Sequence, residues 1–289
     1  MPIRKSYFPG YKGRRSAATR IQSVVRRRQS KPKISNLKLN PTVSKLVDRK
    51  ITQSLEPKIA YIHYNRNSFD NLPNSANRVW QLIPRISQGV ERDERTGTRV
   101  NAKALTIKGV LTIPAASWIP VIPPAPDLNA DRADIQVRLL CLSSKRLRSF
   151  YDVQLNWTAQ ANLYSQIFKP GSNSQAPTGQ QLDQWTPVNR EAFTVHADKK
   201  FSMTRGTLLF PDPTSSSGAA HMPAINKKFN INVKCKNKKI YYEDETSLYP
   251  AEFQPFLIAM YSYTNGASQS NVNVLNMEYY SELHYNEKD

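Results

Sequence analysis

The sequence predicts an all-β protein, a single eight-stranded sandwich of jelly-roll type preceded by a disordered or partly helical basic N-terminal arm. Apolar and polar residues alternate with a period of two in most segments after residue 55, as in strands with one buried face. These segments seldom alternate with helical ones, which argues against α/β folds. A Greek-key sandwich of another kind fits the same pattern, and the alternation does not distinguish the two.

Charge divides the chain into two predicted regions. The 289 residues carry a net charge of +19, of which residues 1–50 contribute +14 from fifteen basic residues and the single acid Asp48. Residues 51–289 carry the remaining +5, so we expect a basic arm over 1–50 and the jelly-roll domain over 51–289. An arm that repels itself and buries little apolar surface stays disordered without a partner. A short basic helix is expected to form on binding, from residues near helical spacing: Ala17, Ala18, Ile21, Val24 and Val25.

The first strands of the domain are expected at Ile59–Tyr64 and Val79–Ile83, two short runs rich in β-forming residues. A charged, turn-rich loop follows at 88–97. Arg99–Ile113 alternates throughout and is rich in β-branched side chains, which predicts a long strand. Residues 114–126 contain five prolines and are predicted to form a loop or an irregular edge.

The middle of the domain mixes strands with irregular segments. Strands are predicted at Asp134–Ser143 and Ala192–Met203, with a short companion at Leu208–Phe210. Phe150–Phe168 lacks clean alternation and is more typical of a helix, whereas Pro170–Pro187 has the Gly, Ser, Gln and Pro content of a surface loop.

The last third of the chain is the most regular. Phe229–Cys235 alternates strictly, and Lys239–Tyr242 is expected to follow it as a separate strand. Phe256–Tyr263 and Val272–Tyr285 complete a set of about eight strands.

Residue patterns argue against a membrane protein and against an enzyme. No window approaches eighteen consecutive apolar residues, so neither a transmembrane helix nor a membrane partner is expected. The chain has no Walker A, GxSxG or GxGxxG motif, and its two cysteines cannot form a four-ligand metal site. We therefore predict no catalytic residues, no metal and no cofactor. The four histidines are widely separated and none has metal-ligand spacing: His63, His196, His221 and His284.

Two acidic clusters have structural interpretations. Residues 91–95 interleave three acids with Arg92 and Arg95, which predicts an exposed loop that neutralises its own charge. The Glu-Asp-Glu run at 243–245 forms either an exposed turn or a cation site.

The arm contains the residues with the clearest functional chemistry. Lysine and arginine neutralise phosphates without reading base sequence, which points to nucleic acid as the partner. Tyr7, Phe8 and Tyr11 lie among the charges and are candidates to stack on unpaired bases. The alternative is a solvated polybasic tail. The arm residues predicted to bind nucleic acid are Arg4, Lys5, Lys12, Arg14, Arg15, Arg20, Arg26, Arg27, Arg28, Lys31 and Lys33.

Two targeting motifs overlap the arm. Arg14 and Arg15, a ten-residue spacer and then Arg26, Arg27 and Arg28 have the layout of a bipartite nuclear localisation signal, which a nuclear import receptor would recognise. The same region also fits the spacing of a calmodulin-binding helix, through Ile21, Gln22, Arg26 and Lys31.

A second basic cluster lies on the predicted strand over 229–235. Its lysines and asparagines alternate with apolar residues, so one face of the sheet would be basic. This face either guards a sheet edge against aggregation or turns toward nucleic acid. A weaker basic run lies at 145–148. The cluster contributes Lys227, Lys228, Lys234 and Lys236 to the predicted nucleic-acid-binding set, with Lys238 and Lys239 beside them.

Several short blocks resemble the capsid proteins of circular single-stranded DNA viruses, in particular the geminivirus and genomovirus lineage. They occur in the same order as in that lineage, over residues 78–285. The matching blocks are Arg95–Val100, Ala104–Gly109, Asn189–His196, Lys228–Asn232, Ile240–Tyr242, Phe256–Tyr263 and Met277–Tyr285.

The resemblance implies a jelly-roll subunit that assembles, in about sixty copies, into a small T=1 icosahedral shell. The arm would face inward onto circular single-stranded genomic DNA and would carry the protein into the host nucleus through a host nuclear import receptor. The chain lacks the Cys/His zinc-finger cluster common in plant geminivirus coat proteins, since Cys141 and Cys235 are its only cysteines. A single genomovirus-like particle is therefore expected rather than a twinned one.

Three other functions fit parts of the sequence. A cellular nucleic-acid-binding β-sandwich protein that acts as a monomer or dimer explains the basic arm without assembly. A calmodulin-regulated module predicts calcium-dependent capture of the peptide 14–33. An enzyme would need a pocket with converging histidines or carboxylates.

Overall fold

The computed structural model describes Val43 and residues 57–118, 134–159, 162–204, 210–211, 220–222, 224–264 and 275–287. The chain divides into two units, Met1–Ser54 and Leu55–Asp289. The disorder or partial helix predicted for the arm falls, apart from Val43, outside the described residues. Every other described residue belongs to the second unit.

Strands dominate the described part of this unit. Its helices are α1 (Phe150–Leu155) and three short 3₁₀ helices, Ala76–Arg78, Leu163–Gln166 and Gln181–Gln184. Its strands are β1 (Pro57–Phe69), β2 (Trp80–Gln81), β3 (Arg99–Ile113), β4 (Ala116–Trp118), β5 (Asp134–Ser144), β6 (Phe193–Thr204), β7 (Phe210–Pro211), β8 (Ala220–Met222), β9 (Ile225–Tyr241), β10 (Phe256–Tyr263) and β11 (Leu275–Asn286).

Two four-stranded antiparallel sheets form the sandwich, in the orders β1-β11-β3-β9 and β2-β10-β5-β6. Three further short strands, β4, β7 and β8, form a small separate sheet. Among the other eight, the first strand in the chain pairs with the last, the second with the seventh, the third with the sixth and the fourth with the fifth. This nested pairing is that of a jelly roll, so the predicted fold is confirmed.

The two sheets differ in how their outer faces are covered. Every residue of β10 is buried, because one face of the strand packs in the sandwich and the other packs under a second apolar cluster. That second cluster includes Val153 of α1, Trp157 and Phe168. The first sheet has no such layer in the described chain, and along β9 buried and exposed residues alternate. Among the described residues, the outer side chains of β9 are therefore exposed.

In the helix-like segment predicted over 150–168, the described residues are helical at Phe150–Leu155 and Leu163–Gln166 and not between 156 and 159. Ser149 caps α1 by accepting a hydrogen bond from the Asp152 amide at 3.0 Å. The helix ends at Leu155, and the buried Trp157 then donates its indole N–H to the Pro73 carbonyl. Burial of this tryptophan, rather than helical periodicity, fixes the chain after α1.

The two short strands predicted over 229–242 are one long strand, β9. The backbone takes positive φ angles at Lys236 (51°) and Asn237 (57°), which lie at a β-bulge. Pairing with β3 moves there from Lys234 to Lys238, so the residues between them are left out of the ladder. The strand resumes after the bulge because β3 continues beside it.

Arg95 is the exception to the exposed loop predicted over 91–95. Its side chain is fully buried and donates hydrogen bonds to five backbone carbonyls, at distances of 2.7 to 3.3 Å. Its guanidinium also lies 4.2 Å from the centre of the Tyr242 ring. Arg92 in the same loop is exposed. The carbonyls bound by Arg95 belong to Ile86, Gly97, Asp244, Glu245 and Ser247.

Candidate nucleic-acid interface

β9 presents the basic row predicted from the sequence. Its apolar side chains Phe229, Ile231 and Val233 are buried, and Lys228 and Lys234 are exposed on the opposite face. The strand pairs only with β3 in its sheet, so its other edge is unpaired within the described chain. Lysines along an edge strand discourage edge-to-edge pairing, and they also attract phosphate.

The bulge adds further charge beside this row. Lys238 follows the bulge and its ammonium lies 4.1 Å from the centre of the Phe253 ring. Among the described residues no acid forms an ion pair with any lysine of the cluster, so their charges are not neutralised by a salt bridge there. The exposed lysines of β9 are Lys227, Lys228, Lys234, Lys236, Lys238 and Lys239.

The pairing of β3 with β9 places a further lysine beside the basic row, one that the sequence pattern did not identify. Lys108 of β3 is exposed and lies opposite Asn230 of β9, between β9 and β11. Lys228 lies opposite Val110, the next outward residue of β3. The spacing of residues in the sequence does not identify such cross-strand neighbours, which depend on which strands pair and in what register.

The other half of the same face has a mixed character. On β11, Glu278 lies 3.6 Å from the His63 imidazole and Glu282 lies 2.8 Å from the His284 imidazole. Tyr61 is 60% exposed and stacks on Tyr280 with ring centres 5.7 Å apart. The basic face predicted for the sheet is thus confined to β3 and β9, beside a half that carries both acids and tyrosines.

A shallow groove of about 400 Å³ runs between these halves. Lys108 and Lys228 line it on one side and His63, Glu278 and Tyr280 on the other. Lysine side chains can hold a phosphate, and aromatic rings can stack on unpaired bases; Tyr280 in this groove is half-buried and already stacks on Tyr61. Glu278 repels a phosphate, so the backbone of a nucleic acid would follow the β9 side.

Gly109 shapes the floor of this groove. A Cβ atom built at this position would lie 2.4 Å from the Phe229 ring and 2.5 Å from the backbone oxygen of Glu278. Only glycine therefore fits between β9 and β11 here without moving the backbone.

Asp244 and the two cysteines are hydrogen-bonded or buried and are not grouped into a metal site within the described chain. Asp244 accepts hydrogen bonds from Ser247 and Thr246, which lower the pKa of its carboxyl group. These hydrogen bonds within the segment agree with the exposed turn, one of the two interpretations predicted for residues 243–245. Burial raises the pKa of both buried, free thiols, Cys141 and Cys235. Among the described residues no group of three or more His, Cys, Asp or Glu could hold a metal ion.

The predicted arm residues lie outside the described part of the chain. This applies to the bipartite signal at Arg14, Arg15 and Arg26–Arg28 and to the aromatic candidates Tyr7, Phe8 and Tyr11. The other arm residues predicted to bind nucleic acid also lie outside the described part: Arg4, Lys5, Lys12, Arg20, Lys31 and Lys33.

Within the described chain, no helix has the length and apolarity needed to cross a membrane. No protein-family model matches the chain, and no curated protein matches it.

Proposed function

We propose that this protein is a structural viral capsid protein that self-assembles into a small icosahedral shell and packages circular single-stranded DNA through its basic arm. The proposal rests on two features that occur in the same chain. One is an acid-poor arm with a charge of +14, and the other is a jelly-roll sandwich with exposed lysines on β3 and β9. The arm supplies affinity for phosphate, and the sandwich supplies a rigid unit for a shell. The resemblance of scattered blocks to the geminivirus and genomovirus lineage supports the same function.

The charge of the arm has the scale that a small genome needs. Sixty arms in the smallest icosahedral shell would bring about 840 positive charges, enough to neutralise on the order of one kilobase of single-stranded DNA. A single arm binds weakly at physiological salt, whereas an assembled set binds with the avidity of many linked contacts.

The proposed partners follow from this function. They are single-stranded genomic DNA, about sixty copies of the same chain, and a host nuclear import receptor that recognises the bipartite signal. The proposed locations are the virion and the host nucleus, with no role for a membrane and no catalytic activity.

Deletion of residues 2–35 tests the role of the arm. We expect the deleted protein to keep its β-structure by circular dichroism but to lose nuclease-protected DNA and nuclear entry. A control variant that replaces residues 2–35 with a neutral Gly/Ser segment of equal length separates loss of charge from loss of length. If either variant packages DNA normally, the assignment of the arm is wrong.

Particle size tests assembly. Electron microscopy and light scattering of the full chain, over a series of salt concentrations, should show closed shells under at least one condition. Only small oligomers throughout would overturn the capsid proposal. They would favour the alternative, a cellular nucleic-acid-binding β-sandwich protein without sequence specificity, because the groove between Lys108, Lys228 and Tyr280 is complete within one subunit.

A further inference from the structure

A second basic cleft lies where the ends of β5, β6 and β9 meet. Its volume is about 290 Å³, and it shares no lining residue with the groove on the first sheet. Ser143, Lys145, His196, Lys238 and Phe253 are among the residues that line it. The proposed function assigns no role to Ser143, His196 or Phe253.

Two bulges build this cleft. On β6, pairing with β5 passes from Ala197 directly to Val195, so His196 is an extra residue outside the ladder. A bulge of this kind changes the direction in which a side chain points. Here the His196 Nε2 atom lies 2.8 Å from the Ser143 Oγ atom. On β9, the bulge precedes Lys238, which lies over the Phe253 ring.

The backbone at Phe253 supports the view that the site is held in place by its surroundings. Phe253 has a φ angle of 67°, a left-handed conformation that is rare for a bulky residue. Its ring contacts the His196 imidazole edge-on, with centres 6.0 Å apart, and also contacts Lys238. The cation and the imidazole are thus positioned by the same aromatic side chain.

Positive charge exceeds negative charge in the cleft. The acid that lines it, Glu252, is paired with Arg148 at 2.9 Å. No described acid forms an ion pair with Lys145 or Lys238, and the nearby Glu191, whose pKa is lowered mainly by Lys169 and also by the charge of Lys145, is paired with Lys169 at 2.6 Å. The Lys145 ammonium donates one hydrogen bond to the Arg190 carbonyl at 2.6 Å, which fixes its position and leaves two N–H groups for a ligand.

His196 and Ser143 always retain a donor between them. Burial, together with the charge of Lys238, lowers the pKa of His196, which favours the neutral imidazole. If Ser143 donates to Nε2, the neutral ring carries its hydrogen on Nδ1; if Nε2 donates to Ser143, the serine hydroxyl is free to donate. No described carboxylate binds the imidazole, so the pair lacks the acid that orients a catalytic histidine.

We propose that this cleft is a phosphate-binding site whose occupant in the particle is a backbone phosphodiester of the packaged single-stranded DNA. Lys145 and Lys238 supply the charge, and the Ser143–His196 pair supplies a neutral donor. The choice of DNA as the occupant rests on the proposed function. The phosphate chemistry does not, because a free phosphate or a nucleotide presents the same oxygens.

The test compares two lysine pairs in the full-length protein. The double variant Lys145→Gln, Lys238→Gln removes the two cleft cations, and the control variant Lys199→Gln, Lys200→Gln removes two exposed cations of β6 that do not line the cleft. Binding of a fluorescent oligothymidylate is measured against salt concentration. Loss of one phosphate contact should reduce the slope of log K against log salt by about 0.7 in the cleft variant and leave the control unchanged.

Lysine acetylation read by mass spectrometry supplies an independent measurement. Oligothymidylate and inorganic phosphate should each protect Lys145 and Lys238 but not Lys199. If the full chain binds DNA, yet the cleft variant behaves like the control and neither lysine is protected, the cleft proposal is wrong and the proposed function stands. If the full chain does not bind DNA, the proposed function fails, and protection by phosphate alone then decides whether the cleft binds that anion.

Discussion

Replacing Arg95 with alanine should destabilise the domain far more than any change in the exposed residues around it. The truncation removes a buried cation and leaves five backbone carbonyls without their donor. One unsatisfied buried polar group costs about 1–3 kcal/mol, but the five losses are not additive because the two loops can relax and admit water. We expect a loss of about 3–5 kcal/mol in the free energy of unfolding, comparable to the loss of about two hydrogen bonds to a charged group at about 1.5–3 kcal/mol each.

Urea unfolding followed by tryptophan fluorescence measures this loss, since Trp80 and Trp157 are buried. Salt is kept high enough to prevent assembly. Arg92→Ala is the matched control, because Arg92 lies in the same loop and is exposed, and it should change the free energy by less than about 0.5 kcal/mol. Arg95→Lys should fall between them, since an ammonium has three donors and no planar fork. Equal stabilities for Arg95→Ala and Arg92→Ala would refute the reasoning.

Two further predictions concern the core. Gly109→Ala places a methyl group 2.5 Å from the backbone oxygen of Glu278, and should cost about 1–3 kcal/mol in unfolding free energy by the same urea assay; an unchanged midpoint would contradict the packing described. Burial raises the pKa of Cys235 from 9.0 to about 11, so this thiol keeps its proton to a higher pH in the folded chain than in the unfolded chain. Stability should therefore fall as pH rises from about 9 toward 11, and a thiol reagent at pH 8 should label the native protein only as fast as it opens; rapid native labelling would show that the thiol is accessible.

The strands were predictable where alternation or a continuous apolar run is strong. The predicted bounds of Arg99–Ile113 and Phe256–Tyr263 coincide with those of β3 and β10. The structure shortens the strand predicted at Val79–Ile83 to Trp80–Gln81, because the apolar residues after it are buried without forming a ladder. Period alone cannot separate burial in a strand from burial in a loop.

The candidate sites were only partly predictable, because they depend on register. The basic row of β9 follows from alternation within one strand, so its exposed lysines could be identified in advance. Lys108 joins them only through its pairing with β9, and His196 meets Ser143 only through a bulge on β6. Arg95 was expected in an exposed loop, since its charged neighbours conceal that five carbonyls surround it. Such contacts join segments distant in sequence, and no local pattern records them.

The pairing of the first strand with the last has a mechanical consequence. Pro57 lies opposite Asn286, so a force that separates these two ends would unzip β1 from β11 one residue pair at a time. The first contact to resist is a buried ion pair, Lys58 to Glu287 at 3.1 Å, and the same carboxylate accepts a hydrogen bond from the Thr96 amide at 2.9 Å. A force applied at this corner of the sandwich would therefore act on the contacts among Lys58, Glu287 and Thr96 before it reached the other residue pairs of β1 and β11.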